Sequence, residues 1–143
     1  MNKQTLYRLF NLPRIIEQKK LEIQRIQEQL DVKSPSLTGM PHAGGVHDKV
    51  GDGVVELVTK KEELEELVRG YLREKAETEA WIDAIEDLQV QLIFCYRFKE
   101  KMTWTEVADM MGGINTDDSC RKMVDRYLEK GARENEQAKE RNQ

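Results

Sequence analysis

The chain has 143 residues, about one domain's worth, with 23 Lys and Arg against 27 Asp and Glu for a formal net charge of −4. Charged residues make up 35% and apolar ones 38%; an ordinary globular domain has roughly 25% charged. That balance excludes a thick multilayer core and favours long, solvated helices with narrow apolar seams.

No apolar run approaches the ~18–20 residues of a membrane span. Residues 1–16 lack the apolar core and small-residue cleavage site of a signal peptide. Two cysteines, Cys95 and Cys120, make neither a disulfide framework nor a zinc motif, so a cytoplasmic protein with reduced thiols is expected. The charge is uneven. Residues 1–33 hold seven bases and four acids, residues 34–96 six and thirteen, and residues 97–143 ten of each. An acidic total argues against nucleic acid, where phosphate neutralisation drives affinity. Here the acid is concentrated in one central segment, so the total does not decide the matter.

In chain order, residues 3–32 are predicted to be helical. Leu9, Leu12, Ile16, Ile23, Ile26 and Leu30 fall on a seven-residue repeat with Lys19 breaking the seam. Pro13 either occupies the first turn after Asn11 or kinks a longer helix. So narrow a stripe needs another helix, either within the chain as a hairpin or from a second copy as a homodimer through the N-terminal helices. Residues 33–53 carry five of the nine glycines, two of the three prolines and both histidines, and are predicted to be a loop, functional or disordered. His42, His47, Asp48 and Asp52 sit there without any standard metal spacing, so no metal and no cofactor is expected. A second long helix is predicted over 53–85, its seam formed by Val54, Leu57, Leu64, Val68, Tyr71, Ile82 and Ile85 with Lys61, Lys75 and Thr78 as polar interruptions. The run Glu62–Glu66 lies on a solvated face. Nothing along the chain resembles a catalytic constellation, so no enzyme activity is expected.

Residues 88–98 form an apolar helix ending near Arg97 and Lys99. Thr103 and Glu106 make a capping box that starts a helix, with Val107, Ala108 and Met111 on its buried face and Gly112–Gly113 ending it. Thr116 or Asp118 caps a further helix to about Glu134. Cys120, Met123, Val124, Tyr127 and Leu128 form one side of it; Lys122, Arg126, Lys130 and Arg133 share another. This is the grammar of a helix-turn-helix, in which a small residue lets two helices cross and the second offers polar side chains to double-stranded DNA. Residues 121–133 hold five bases and two acids. Arg121, Lys122 and Arg126 are the candidates for base or phosphate contacts, Lys130 and Arg133 for the DNA backbone, Ser119 for a minor polar contact, and Arg97, Lys99 and Lys101 for flanking phosphate. The tail after Gly131 is polar and expected to fray.

The order of parts resembles a family of small phage-encoded regulators, the ArpU/RinA-type late activators, whose C-termini look like the fourth region of sigma-70 factors. The segments that carry the resemblance are SPSLTGMPHAGGVHDKVGDGV in the loop, IEDLQVQLIFCYRF before the motif and MTWTEVADMMGG within it. CYRFKEKMTWTEVADMMG is similar to the family's stretch RYxxGxTWxEIAxxMG. The likeness covers roughly residues 33–130, and the turn GGINTDDS is longer than a standard three- or four-residue connection. The resemblance implies DNA binding upstream of late phage genes, and transcriptional activation there, in the cytoplasm of a bacterial host cell.

The expected fold is all-α: a long coiled-coil-like helical hairpin over 1–86 with the Gly-rich loop 33–53, a sigma-70 region 4-like helix-turn-helix over 87–134, and a polar tail over 135–143. The expected function is a non-enzymatic, sequence-specific DNA-binding regulator. Two alternatives stand beside it: a protein-interaction module docking on host RNA polymerase, and a small DNA-packaging (terminase) subunit.

Overall fold

The seven-residue apolar repeat near the N-terminus produces a long helix, α1 (Lys3–Lys33), and the charged central segment another, α2 (His47–Asp83). Three shorter elements follow: α3 (Leu88–Phe94), which widens into a π-helical turn at Cys95–Lys99, then α4 (Trp104–Met111) and α5 (Asp117–Arg141). The computed structural model describes residues 1–33 and 47–143; among them there is no strand, and the chain is all-α with hairpin-like packing of its helices. No helix among the described residues is long and apolar enough to cross a membrane.

The chain forms two compact units, one of Met1–Asn11 with Arg73–Gln143, the other of Leu12–Leu72. This division differs from the expected boundary at residue 86, and the core of the first unit gives the reason. Leu6 from α1 and Ile82 and Ile85 from the end of α2 and just beyond it are buried in one cluster with Ile93, Phe94, Val107, Cys120 and Val124. The ends of the two long helices therefore supply apolar surface that the short helices need. Aromatic rings tie the same core together: Trp81 meets Phe94 edge-on at 5.3 Å between centroids, and Tyr127 lies 5.7 Å from Phe94. Offset and edge-on contacts of this kind suit the ring quadrupole.

The second unit is a two-helix arrangement of the rest of α1 with the first part of α2. Leu12, Ile16 and Ile23 are buried on α1, with Ile26 and Leu30 half-buried further along. Pro13 lies inside α1; it leaves the carbonyl of Leu9 without the N–H that residue 13 would otherwise donate. On α2 the less exposed residues are Gly53, Leu57, Lys60, Leu64, Leu67, Val68, Gly70 and Tyr71. Leu57, Leu64, Val68 and Tyr71 of the expected seam are among them, but Val54, 47% exposed, and Lys61 are not. The difference follows from Gly53, which sits against Leu30 so closely that a β-carbon there would fall 2.7 Å from Leu30 Cδ2. Lys60, one turn and three residues on, reaches Glu22 at 3.6 Å.

Two expectations about irregular segments are corrected. The Gly-rich stretch was expected to be a loop to residue 53, yet α2 begins at His47 and includes Gly51 and Gly53. Residues 34–46, with His42 and most of the Gly-rich segment, lie outside the described residues. The polar tail is helical to Arg141. Its sequence is rich in Glu, Lys, Arg, Gln and Ala, all good helix formers, and Gly131 alone does not outweigh them.

Candidate nucleic-acid interface

Every sequence-derived candidate residue lies in the first unit. α3 starts at Asp87, whose Oδ1 accepts from the N–H groups of Gln89 and Val90 at 3.0 and 3.2 Å. The Gln91 side-chain amide donates to the carbonyls of Ile82 and Asp83, closing the end of α2. After α3 the backbone widens. Glu100 N–H donates to Cys95 O, Met102 N–H donates to Tyr96 O, and Lys101 adopts φ 56°. A residue in that left-handed region reverses the chain sharply after a helix end and aims it into α4.

α4 begins with the expected capping box. Thr103 N–H donates to Glu106 Oε2 at 2.9 Å, and Glu106 N–H donates to Thr103 Oγ1 at 3.2 Å. Trp104, Val107 and Ala108 are buried, with Met111 half-buried beside them. The turn is five residues, 112–116. Gly112 has φ 68° and ψ −171°, a conformation essentially confined to glycine, and Gly113 has φ 62°. Asn115 closes the turn, its side-chain amide donating to Gly112 O at 2.9 Å. Thr116, one of the two caps the sequence allowed, is the N-cap of α5. Its N–H donates to Ser119 Oγ at 2.9 Å, and Ser119 N–H donates to its Oγ1 at 3.1 Å.

α5 packs on α4 and α3 through Cys120, Val124 and Leu128, all buried. Arg121, Lys122, Arg126, Lys130 and Arg133 are exposed. Among the described residues Arg126 and Arg133 make no salt bridge. Lys122 pairs with Asp118 at 2.9 Å, one turn earlier, and this ammonium, with Arg121 near by, holds the Asp118 carboxyl below its ordinary range. The pair is solvent-exposed, so a phosphate can displace the carboxylate from Lys122. Lys130 lies 3.9 Å from Glu134. Asp125, in the middle of the basic run, is taken up by Lys3 of α1 at 3.0 Å.

The remaining candidates lie elsewhere. Ser119 spends its hydroxyl on the cap, accepting from Thr116 N–H and donating to Thr116 O. Arg97 is turned inward: its guanidinium carbon stands 4.5 Å from the centre of the Phe10 ring, 4.9 Å from Trp104 and 5.8 Å from Tyr7, and its Nη1 donates to Met102 O at 2.7 Å. Lys99 is bonded to Asp83, and that carboxylate raises its pKa. Neither belongs to the exposed face of α5. Lys101 is exposed at the π-helical turn.

Two features of this region escaped sequence reasoning. Trp104 carries Arg97 on its ring and has Arg121 at 5.8 Å; its spacing from Val107, Ala108 and Met111 was a legible signal that it shares the buried face. The Lys3–Asp125 pair joins residues far apart in sequence and left no local trace. Among the described residues no group of acidic, histidine and cysteine side chains is arranged to hold a metal.

A family described as "Protein of unknown function (DUF1492)" matches residues 31–129. The chain belongs to that family. The match takes in α2, the helix-turn-helix and the buried side of α5, while α1 up to Leu30 and α5 beyond Glu129 lie outside it. No curated protein and no solved structure matches the chain. DUF1492 membership by itself assigns no activity.

Proposed function

We propose that this DUF1492 protein is a phage-encoded, non-enzymatic regulator of transcription that binds double-stranded DNA through its helix-turn-helix, in the manner of the ArpU/RinA-type late activators it resembles. The observation that carries this reading is the two-sidedness of α5. One side is buried against α4 and α3, and the other presents Lys122, Arg126, Lys130 and Arg133 at intervals of four, four and three residues. A helix held from behind and basic in front suits the major groove, where base edges carry the sequence information. In this reading Arg121, Lys122 and Arg126, nearest the start of α5, address bases and adjoining phosphates, and Lys130 and Arg133 address the backbone.

The experiment is selection of binding sites from a pool of random duplexes, followed by shift assays on the enriched site. Arg126→Ala is expected to weaken binding by about 1–3 kcal/mol and relax preference at one position if it reads a base. Lys130→Ala is expected to weaken all sequences alike. Enrichment of no duplex at low salt, with the fold intact, overturns the reading.

A second reading, docking on host RNA polymerase, is favoured by one observation. Met110, near the end of α4, is 54% exposed and Ile114, in the turn that follows, 98%. Apolar side chains so placed suit a protein surface better than a phosphate backbone. Loss of polymerase co-purification in Ile114→Asp, with duplex binding absent in the parent protein, would select this reading over the first.

A further inference from the structure

Among the described residues the second unit consists of two helices, and two helices cover only part of each other's apolar surface. On α2, Leu57, Leu64, Leu67 and Tyr71 share a row with Gly53 and Lys60, which both touch α1, yet all four remain half-buried. One residue further on, about 100° round the helix, runs a second row: Val54, Val58, Lys61, Glu65, Val68 and Leu72. Its spacing of four and three alternates as in a coiled-coil seam. Val54, Val58 and Leu72 are 47%, 49% and 55% exposed, and Val68 is half-buried. Lys61 and Glu65 are exposed in the middle of it, and neither makes a salt bridge among the described residues.

This row is self-complementary. Laid antiparallel against itself about a two-fold axis level with residue 63, it brings Val54 opposite Leu72 of a second copy and Val58 opposite Val68. Lys61 then faces Glu65 of the second copy. By symmetry each contact occurs twice, as an isologous interface requires. Shifting the helices by one heptad sets Lys61 or Glu65 against an apolar partner, so the charges fix the register. We propose that this protein pairs with a second copy of itself through the outer row of α2, antiparallel, with reciprocal Lys61–Glu65 ion pairs at the centre. The pairing covers the open side of Leu57, Leu64 and Tyr71 and turns two hairpins into a four-helix arrangement. Glu62 flanks the axis and meets its own copy, a like-charge contact at the solvent edge that salt screens. The inference uses residues remote in sequence from α5 and does not rest on the DNA reading.

The test is sedimentation equilibrium of the full chain, with helix content followed by circular dichroism. The parent protein is expected at twice 16.7 kDa. Lys61→Glu or Glu65→Lys alone sets like charges opposite each other at two places and is expected to raise the dissociation constant about tenfold or more. The double exchange K61E/E65K restores the pairs and the affinity. Val58→Asp, at an exposed position outside either core, is expected to give monomer with unchanged helix content, and Glu62→Gln to tighten the dimer. A parent still monomeric at about 100 µM, far above a micromolar dissociation constant, overturns the proposal. So does a dimer indifferent to Val58→Asp, or one that the double exchange fails to restore after the single changes have weakened it.

Discussion

Arg97 offers the sharpest test of whether a basic residue beside a helix-turn-helix serves the fold or a ligand. Its guanidinium lies over Phe10, Trp104 and Tyr7 and donates to the Met102 carbonyl at 2.7 Å. A charged donor to a carbonyl contributes about 1.5–3 kcal/mol, and partly desolvated cation–π contacts about 1–2 kcal/mol together. Against this, Arg97 Nε is buried without a partner, at a cost of about 1–3 kcal/mol. The net gain from the guanidinium is then about 1–2 kcal/mol. Arg97→Met keeps the aliphatic stem, removes both the gains and the orphaned Nε, and should cost about 1–2 kcal/mol. Arg97→Ala also empties the space between α1 and α4 and should cost about 3 kcal/mol, or roughly 6–12 °C in midpoint for a chain of this size. Thermal and urea unfolding read both values. An unchanged midpoint in Arg97→Ala, together with weaker duplex binding and a shallower salt dependence, would refute the argument and return Arg97 to the surface.

Gly112→Ala should destabilise by about 1–3 kcal/mol in urea unfolding through backbone strain alone, because a β-carbon there meets nothing within 4 Å. Thr116→Ala should cost about 1 kcal/mol by removing the acceptor of the Ser119 N–H, and Thr116→Ser should recover most of it. Lys99 has its pKa raised above the ordinary 10.5, first by its hydrogen bond to Asp83. Its contribution is therefore complete below about 10.5 and lost as pH rises through the folded value; the urea midpoints of parent and Lys99→Met should differ up to that pH and converge above it. Cys120 is fully buried and Cys95 only partly, burial raising both thiols, so a thiol reagent at pH 8 should label Cys95 first and Cys120 only on unfolding.

The helices were legible where the apolar period was unbroken and the caps were chemical. The Thr103–Glu106 box, Gly112–Gly113 and the Cys120–Val124–Leu128 face all follow from local spacing, and the structure has them there. Misreadings arose where the deciding contact was remote. The register of α2 turns on Gly53 meeting Leu30, a close approach that a glycine in a Gly-rich stretch does not announce; composition there reads as loop. Arg97 looked like part of a basic cluster because its three aromatic partners come from α1 and α4, and only the folded chain brings them to it. The allocation of Leu6 and Ile82 to the same core as α4 and α5 is likewise a tertiary fact, since either could have served the hairpin seam.

Charge shows why counting over a whole chain misleads. α5 carries seven acids and seven bases, and a sum over it gives no reason to expect an anionic partner. The fold sorts those charges. Lys3 takes up Asp125, Lys122 holds Asp118 at the start of the helix, and Arg126 and Arg133 are left without a salt bridge among the described residues. What a polyanion would meet is therefore the basic row with Asp125 neutralised from α1 and Glu129 exposed among the bases. On the proposed DNA reading, four contacts of this kind imply a log–log salt slope of about −3.6, at about −0.9 for each phosphate. That is shallow for a specific regulator. A second copy joined through the outer row of α2 would bring a second set of bases, steepening the slope and raising the affinity where both sets reach one duplex.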